Sequence, residues 1–320
     1  NAVPRNLVVP VPATVSLESA SSSAIGAIAL QGIRQAELQL GESVAIIGLG
    51  LLGQFLVQLC RANGCQVIGI DIDPAKCALA LANGAIAACG ADTSEALHAT
   101  FNASNGLGVD AVLLTASTRD IGPIEMSAAL VRDRGRVVCL GNTAIELDWR
   151  TWFGKEIDFR FSRAMGGGMY DSEYTMHGKD YPIGYVRWTA NRNMRAFLQL
   201  VADQKLDLSR LITHRFSFAD ALGVFDRIAN GDLAQAVGIV FEYPDRESGT
   251  FELRPRSESL PTTGTREGAD VRLAQIGAGN YAKSMLMPHF SELRNLRLEG
   301  ICTNRGLNAQ ALAKRYQFRK

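Results

Sequence analysis

A chain of 320 residues suits two modest domains or one large one, and 47% apolar side chains with 31 glycines suit an α/β protein, because buried parallel strands consume apolar runs. Its 33 basic and 32 acidic side chains leave a formal charge of +1, and no stripe of Lys and Arg carries interleaved aromatics, so nothing electrostatic points to nucleic acid. There is no apolar run of membrane-spanning length and no basic-then-apolar opening, and the six cysteines form no Cys-x-x-Cys pair; the expected setting is reducing and cytoplasmic, away from membranes.

Residues 1–15, rich in Val and Pro, should run extended to Pro12, after which Ser16 can cap a helix over 17–24. A second helix near 25–38 turns Leu30, Ile33 and Leu38 toward a core, and Gly41-Glu42 makes a turn. Val44–Ile47 is a short apolar strand, 51–63 a helix and Gln66–Asp71 a second strand. Pro74 opens a helix over 75–83, since a first-turn proline loses nothing there. The alternation continues with a strand near 85–88, a helix near 94–101, a strand at Asp110–Leu114, a helix at 121–131 and a strand at Arg136–Leu140. Units of this length predict an α/β fold, a Rossmann-like doubly wound parallel sheet with right-handed crossovers.

The pattern breaks over 142–185, where Phe159–Arg163 reads as one more strand and Met165–Asp180 as a long loop. Helical spacing returns at Trp188–Asp203 and at Phe218–Ile228, the latter capped by Ser217, before a strand at Val237–Tyr243. Residues 1–243 therefore read as one domain and 244–270, polar and poor in apolar residues, as an exposed linker. Residues 271–320 read as an incomplete second βαβ unit, with strands at 271–276 and 296–302 around a helix at 280–293.

A glycine-rich strand-to-helix turn occurs twice. The first, Gly48-Leu49-Gly50-Leu51-Leu52-Gly53, follows an apolar strand and opens a helix. Gly48 makes the tight turn, Gly50 lets the backbone approach a pyrophosphate, and Gly53 lets the helix pack on the sheet. The free N–H groups at the helix start, those of Leu51 and Leu52 included, then face the phosphates. Asp71 ends the next strand 18 residues after Gly53, where a carboxylate accepts both ribose hydroxyls of NAD and repels the extra phosphate of NADP. A flavodoxin-like or purely packing turn is the alternative. Asp73 is placed either to touch the cofactor or to cap the next helix, and Lys76 either reaches the adenosine ribose or sits in solvent.

These residues resemble the cofactor-binding domain of the medium-chain, zinc-type alcohol dehydrogenase family, over about Asn6 to Tyr243. The likeness includes Leu7–Pro12, Ala27–Ile33, Ile46–Gly53, Val109–Ser117, Gly135–Gly141 and the closing segment Leu211–Phe216. It implies that backbone at Thr115, Ala116 and Ser117 and at Leu140, Gly141 and Asn142 lines the nicotinamide half. It also implies a catalytic domain ahead of this one, holding zinc-ligating Cys and His. Here the chain begins at that domain's end, and its cysteines and four histidines (His98, His177, His214, His289) do not reproduce the ligand set. No zinc is expected within these residues, His214 reads as an ordinary closing-segment residue, catalytic residues stay unassigned, and the chain alone is expected to be catalytically incomplete.

The second turn, Gly277-Ala278-Gly279-Asn280-Tyr281-Ala282 followed by Pro288-His289, resembles that of the glucose–fructose oxidoreductase/inositol dehydrogenase group. Its second strand ends in Cys302-Thr303-Asn304-Arg305, without the acidic residue NAD calls for; Arg305 either accepts a 2′-phosphate or is merely exposed. Whether this unit binds a cofactor is open. The order of the two parts resembles two-domain oxidoreductases encoded with cell-surface polysaccharide genes, as does the stretch from Met169 to Met194. Its Tyr and Trp faces and carboxylates suit a sugar, or Trp188 and Tyr185 simply anchor the helix to the sheet. The resulting expectation is an NADH-using oxidoreductase that moves a hydride between nicotinamide and an alcohol or carbonyl carbon. Its substrate would be a small molecule, a sugar or nucleotide-sugar by resemblance alone, with self-association left open. A non-catalytic dinucleotide-binding sensor or scaffold is the competing reading.

Overall fold

The computed structural model describes residues 3–243 and, beyond residue 270, residues 271–279, 281–290, 293, 295–303 and 306–319. The expected linker 244–270 and, in the second glycine turn and its sequel, Asn280 and Arg305 lie outside the described residues. The chain divides into two units, Asn1–Asp245 and Arg246–Lys320.

In the first unit, a 3-10 turn at Arg5–Leu7 precedes helices α1 (Leu17–Ser21) and α2 (Ser23–Ala36). The Ser16 hydroxyl caps α1 by accepting from the Ser19 amide at 3.1 Å. Strand β1 (Ser43–Ile47) and helix α3 (Leu51–Ala62) follow, then β2 (Gln66–Ile70), α4 (Pro74–Ala82), β3 (Ala87–Cys89) and α5 (Thr93–Ala103). The second half adds β4 (Val109–Leu114), α6 (Gly122–Leu130), β5 (Val131–Cys139), α7 (Trp149–Gly154) and β6 (Asp158–Phe161). All six strands run parallel in the order β3-β2-β1-β4-β5-β6. Strand order reverses between β1 and β4, and the crevice at that switch is where an open α/β sheet receives a ligand.

Alternation along the strands builds two cores. Val44, Ile46, Ala111, Leu113 and Val138 face one side with Leu30 of α2, Phe55 of α3 and Phe197. Ala45, Ile47, Val112, Leu114 and Val137 face the other with Ala96 of α5, Ile124 of α6 and Trp152 of α7. Both faces are covered, which is why these strands read as continuous apolar runs.

Three parts of this unit depart from the expectation. The irregular stretch after β5 contains α7, capped by Asp148 at 2.9 Å from the Thr151 amide and anchored by buried Trp152 against Phe159. The expected loop 165–180 holds a single-turn helix, α8 (Ser172–Thr175), started by the Asp171 carboxylate at the Glu173 amide. Helix α9 (Ala190–Ala202) begins two residues later than its spacing implied, because the Thr189 side chain takes the cap position. The closing segment forms β7 (Ile212–Ser217), which pairs in parallel with β8 (Gly238–Glu242) as a separate two-stranded sheet, joined through α10 (Ala221–Ala229).

The second unit pairs β9 (Val271–Ile276) in parallel with β10 (Leu296–Cys302), and α12 (Gly306–Tyr316) follows. The single helix expected over 280–293 is replaced by a wide π turn at Ala282–Leu286 and the short α11 (Met287–Phe290). Pro288 has no backbone N–H with which to continue a regular ladder, which accounts for the change of pitch.

Candidate functional site at the sheet switch point

The first glycine turn sits at the carboxyl end of β1, beside β2 and β4. Gly48 takes φ +97° and its amide donates to the Ile70 carbonyl at 2.8 Å, so the turn is stitched to β2. A Cβ there would stand 2.7 Å from the Ala116 amide nitrogen. At Gly53 a Cβ would run into the Gly48 carbonyl oxygen, whereas at Gly50 it would meet nothing within 4 Å. The three positions thus differ: two are closed against protein, and the middle one faces open space at the start of α3. No side chain caps α3, leaving the Leu51, Leu52 and Gly53 amides and the positive end of the helix dipole turned to that space. Free amides and open space suit an anionic group here, and a side chain at Gly50 would enter that space.

Asp71 joins the turn to β2. Its carboxylate accepts from the Leu49 amide at 2.6 Å through Oδ2 and from the Asp73 amide at 2.9 Å through Oδ1. Asp73 caps α4 by accepting from the Ala75 amide at 2.9 Å, and Lys76 Nζ lies 3.6 Å from its other oxygen. The buried Gln54 amide, unremarked in the sequence, donates to the Leu49 carbonyl at 3.1 Å and to the Lys76 carbonyl at 2.9 Å, while its oxygen accepts from Asn83. One side chain therefore holds the glycine turn and the first turn of α4 at a fixed separation.

The ends of β4 and β5 form the other wall. Thr115 and Ala116 amides donate to the Ile47 carbonyl at 2.8 and 3.1 Å, and the Thr115 hydroxyl donates to the Gly48 carbonyl at 2.6 Å. Leu140 and Gly141 amides donate to the Leu114 carbonyl at 2.9 and 3.0 Å. Ser117 and Asn142 are exposed beyond these bonds and border a hollow of about 480 Å³ with Thr118, Arg119, Thr143 and Ala144. Sequence reasoning missed the end of β6, where the Ser162 amide bonds the Cys139 carbonyl at 2.9 Å and its buried hydroxyl has no hydrogen-bond partner. No local signal marks it.

Among the described residues no group of three or more His, Cys, Asp or Glu side chains could hold a metal ion. Cys60, Cys65, Cys77, Cys89 and Cys139 are buried in the sheet cores, and burial pushes the Cys89 thiol up to about 11 and the Cys60 thiol well above its ordinary value. They are core side chains whose thiols burial keeps protonated. His214 stacks on Phe216 and shares a hydrogen bond with Thr213. In the polar insertion, Arg34 and Arg187 lie against the Trp188 ring, 3.3 and 3.8 Å from its centroid, whereas Tyr185 is 91% exposed and anchors nothing. Buried Tyr174 ties α8 to α9 by accepting from the Asn191 amide at 3.1 Å. In the second unit Gly277 has φ +83° and its amide donates to the Cys302 carbonyl at 2.8 Å; a Cβ at Gly279 would meet nothing within 4 Å, and Tyr281 is exposed.

Residues 52–176 match the family model described as zinc-binding dehydrogenase. This stretch is similar to the zinc-binding, medium-chain alcohol dehydrogenases. The chain is 31% identical to alcohol dehydrogenase 1 of Emericella nidulans over 135 residues, covering 41% of the chain and 38% of that protein. It is 23% identical to the D-arabitol-phosphate dehydrogenase of Enterococcus avium over 227 residues, covering 69% and 57%. Among solved structures, galactitol-1-phosphate dehydrogenase from Escherichia coli superposes with a TM-score of 0.57 at 21% identity, covering 71% of this chain and 61% of that one. The chain spans about half the length of the curated relatives it matches. A six-stranded parallel sheet with the glycine turn at its switch point is the part of this dehydrogenase fold that the chain supplies. The matched family residues lie in the first unit and do not reach the second unit at 271–320, whose expected likeness to the glucose–fructose oxidoreductase group is not shown. No helix among the described residues is long and apolar enough to cross a membrane.

Proposed function

We propose that this chain carries the cofactor half of an NAD-dependent dehydrogenase of alcohols or polyols, with a sugar-derived substrate and a cytoplasmic setting. The observation that carries the reading is Asp71, a carboxylate held at the end of β2 by the Leu49 and Asp73 amides, directly beside the open cradle at Gly50. A carboxylate there accepts ribose hydroxyls and repels a 2′-phosphate, which favours NADH over NADPH. When bound, the nicotinamide ring supplies or accepts the hydride at C4.

The chain's own residues position that ring. The Leu51–Gly53 amides hold the pyrophosphate, and the strand-end backbones at Thr115–Ser117 and Leu140–Asn142, tied together through the Leu114 and Ile47 carbonyls, set the wall for the nicotinamide half. The described residues do not assemble a zinc ligand set, so no step is assigned to zinc. The sugar-derived substrate is supported by relatives named for arabitol phosphate and galactitol 1-phosphate. Fluorescence titration of the chain with NADH and NADPH tests the reading. NADH should bind at least tenfold tighter; equal or tighter NADPH binding would overturn it.

A further inference from the structure

We propose that the outer face of α9 carries a second ligand site, for a phosphate-bearing small molecule, built by Arg34, Arg187 and Arg195 around Trp188. Two adjoining hollows of about 630 and 360 Å³ share Trp188, Ala196 and Gln199 as a common wall. Arg187 and Arg195 line the larger and Arg34 the smaller. None of the three has a carboxylate within ion-pair distance among the described residues. Their neighbour Arg192, by contrast, is paired with Asp180 at 2.6 Å and thereby uses up the one carboxylate lining the larger hollow.

The donors left over are those a phosphate needs. Arg34 spends only Nε, on Asn193 Oδ1 at 2.8 Å, and Arg195 only Nε, on Asn191 Oδ1 at 2.8 Å, so both keep their terminal NH2 groups. Arg187 makes no hydrogen bond to a described residue and rests on the indole alone. Two guanidinium carbons 3.3 and 3.8 Å from one ring centroid must occupy opposite faces, at most about 7 Å apart. Burial, and then the like charge of Arg187, hold the Arg34 guanidinium down to about 10. A concentrated positive charge with unspent planar donors is relieved by an oxyanion that accepts from more than one fork. The concave shape and the limited extent of the charge favour a small molecule over a polymer, which needs a continuous basic stripe.

The site is distinct from the glycine cradle. Leu59, Ala62 and Asn63 at the far end of α3 line the smaller hollow, while the cradle sits at the start of α3, about 18 Å away along a 12-residue helix.

The test is calorimetric titration of the whole chain with glucose 6-phosphate, with inorganic phosphate and with uncharged glucose, followed in parallel by tryptophan fluorescence. Saturable binding of glucose 6-phosphate is expected, tighter than inorganic phosphate and with no signal from glucose. Arg187→Gln with Arg195→Gln should weaken it at least tenfold. Trp188→Phe should abolish the fluorescence change while leaving the heat. Gly50→Val should leave this binding intact, which separates the proposal from the NADH reading. Absence of saturation, or undiminished binding in the double variant with native unfolding behaviour, would overturn the site. Equal affinity for inorganic phosphate and the sugar phosphate would overturn the assigned occupant.

Discussion

Replacing Asp71 tests the fold and the proposed cofactor site at once, because one carboxylate is assigned to both. Asp71→Ala removes an acceptor 2.6 Å from the Leu49 amide and 2.9 Å from the Asp73 amide. Net charge-assisted hydrogen bonds contribute about 1.5–3 kcal/mol each. Water can replace the carboxylate at half-exposed Asp73, but Leu49 is wholly buried and its amide would be left short of a partner. The expected loss of stability is therefore about 2–4 kcal/mol, or a fall in midpoint of roughly 5–12 °C for a domain of this size. Loss of the ribose contacts should separately weaken NADH binding by about 1–3 kcal/mol, roughly 5- to 150-fold. Asp71→Asn keeps one oxygen for the Leu49 amide, so it should recover most of the stability while losing the repulsion that disfavours NADPH. Thermal unfolding without cofactor and fluorescence titration with both cofactors resolve the two effects. If Asp71→Ala melts at the native midpoint and binds NADH with native affinity, the assignment of both roles to this carboxylate is wrong.

Gly50→Val should abolish NADH binding and leave the unfolding midpoint nearly unchanged, since the new side chain enters open space; Gly53→Ala should instead cost about 1–3 kcal/mol by driving a Cβ into the Gly48 carbonyl, and calorimetry on both would expose a misread cradle if their effects were reversed. Gln54→Leu should destabilise the first unit by about 2–4 kcal/mol, because the Leu49 and Lys76 carbonyls and an Asn83 N–H lose a buried partner; denaturant unfolding checks it, with an unchanged midpoint as the contrary result. Burial pushes the Asp110 carboxyl up, but the Arg132 guanidinium at 2.8 Å and the Ser43 amide and hydroxyl at 2.8 and 2.9 Å outweigh it and hold the group below its ordinary value. A lowered folded-state value means that its stabilisation is complete above the unfolded value near pH 4 and is lost as pH falls below that, so Asp110→Asn should flatten the acid limb of a stability–pH curve below about pH 4 and lower the plateau above it.

The parts legible in the sequence are those whose cause is local. β1 and β4 announce themselves as apolar runs because both their faces are buried, and Gly48, Gly50 and Gly53 can be told apart because a tight turn and a helix contact close two of them against a side chain while the middle one faces open space. Asp71 was readable as the residue ending β2, but not as the partner of the Leu49 amide 22 residues earlier. The same limit explains β7: Ile212–Ser217 alternates with polar residues, and its partner β8 lies beyond an entire helix, so nothing within the segment declares a parallel pair. α7 and α8 were hidden because each is barely a turn or two long and is started by one aspartate cap, Asp148 and Asp171, in polar surroundings that read equally as loop. The arginine cluster is the extreme case. Arg34 and Asn193 stand 159 residues apart in sequence and 2.8 Å apart in space, and Trp188 meets Arg34 only because α2 and α9 pack side by side over the same core. Sequence reasoning could treat Trp188 only as an anchor or a sugar platform. The packing shows a third use, a ring held between two cations, and it is the unspent donors of those cations that give this face a chemistry of its own.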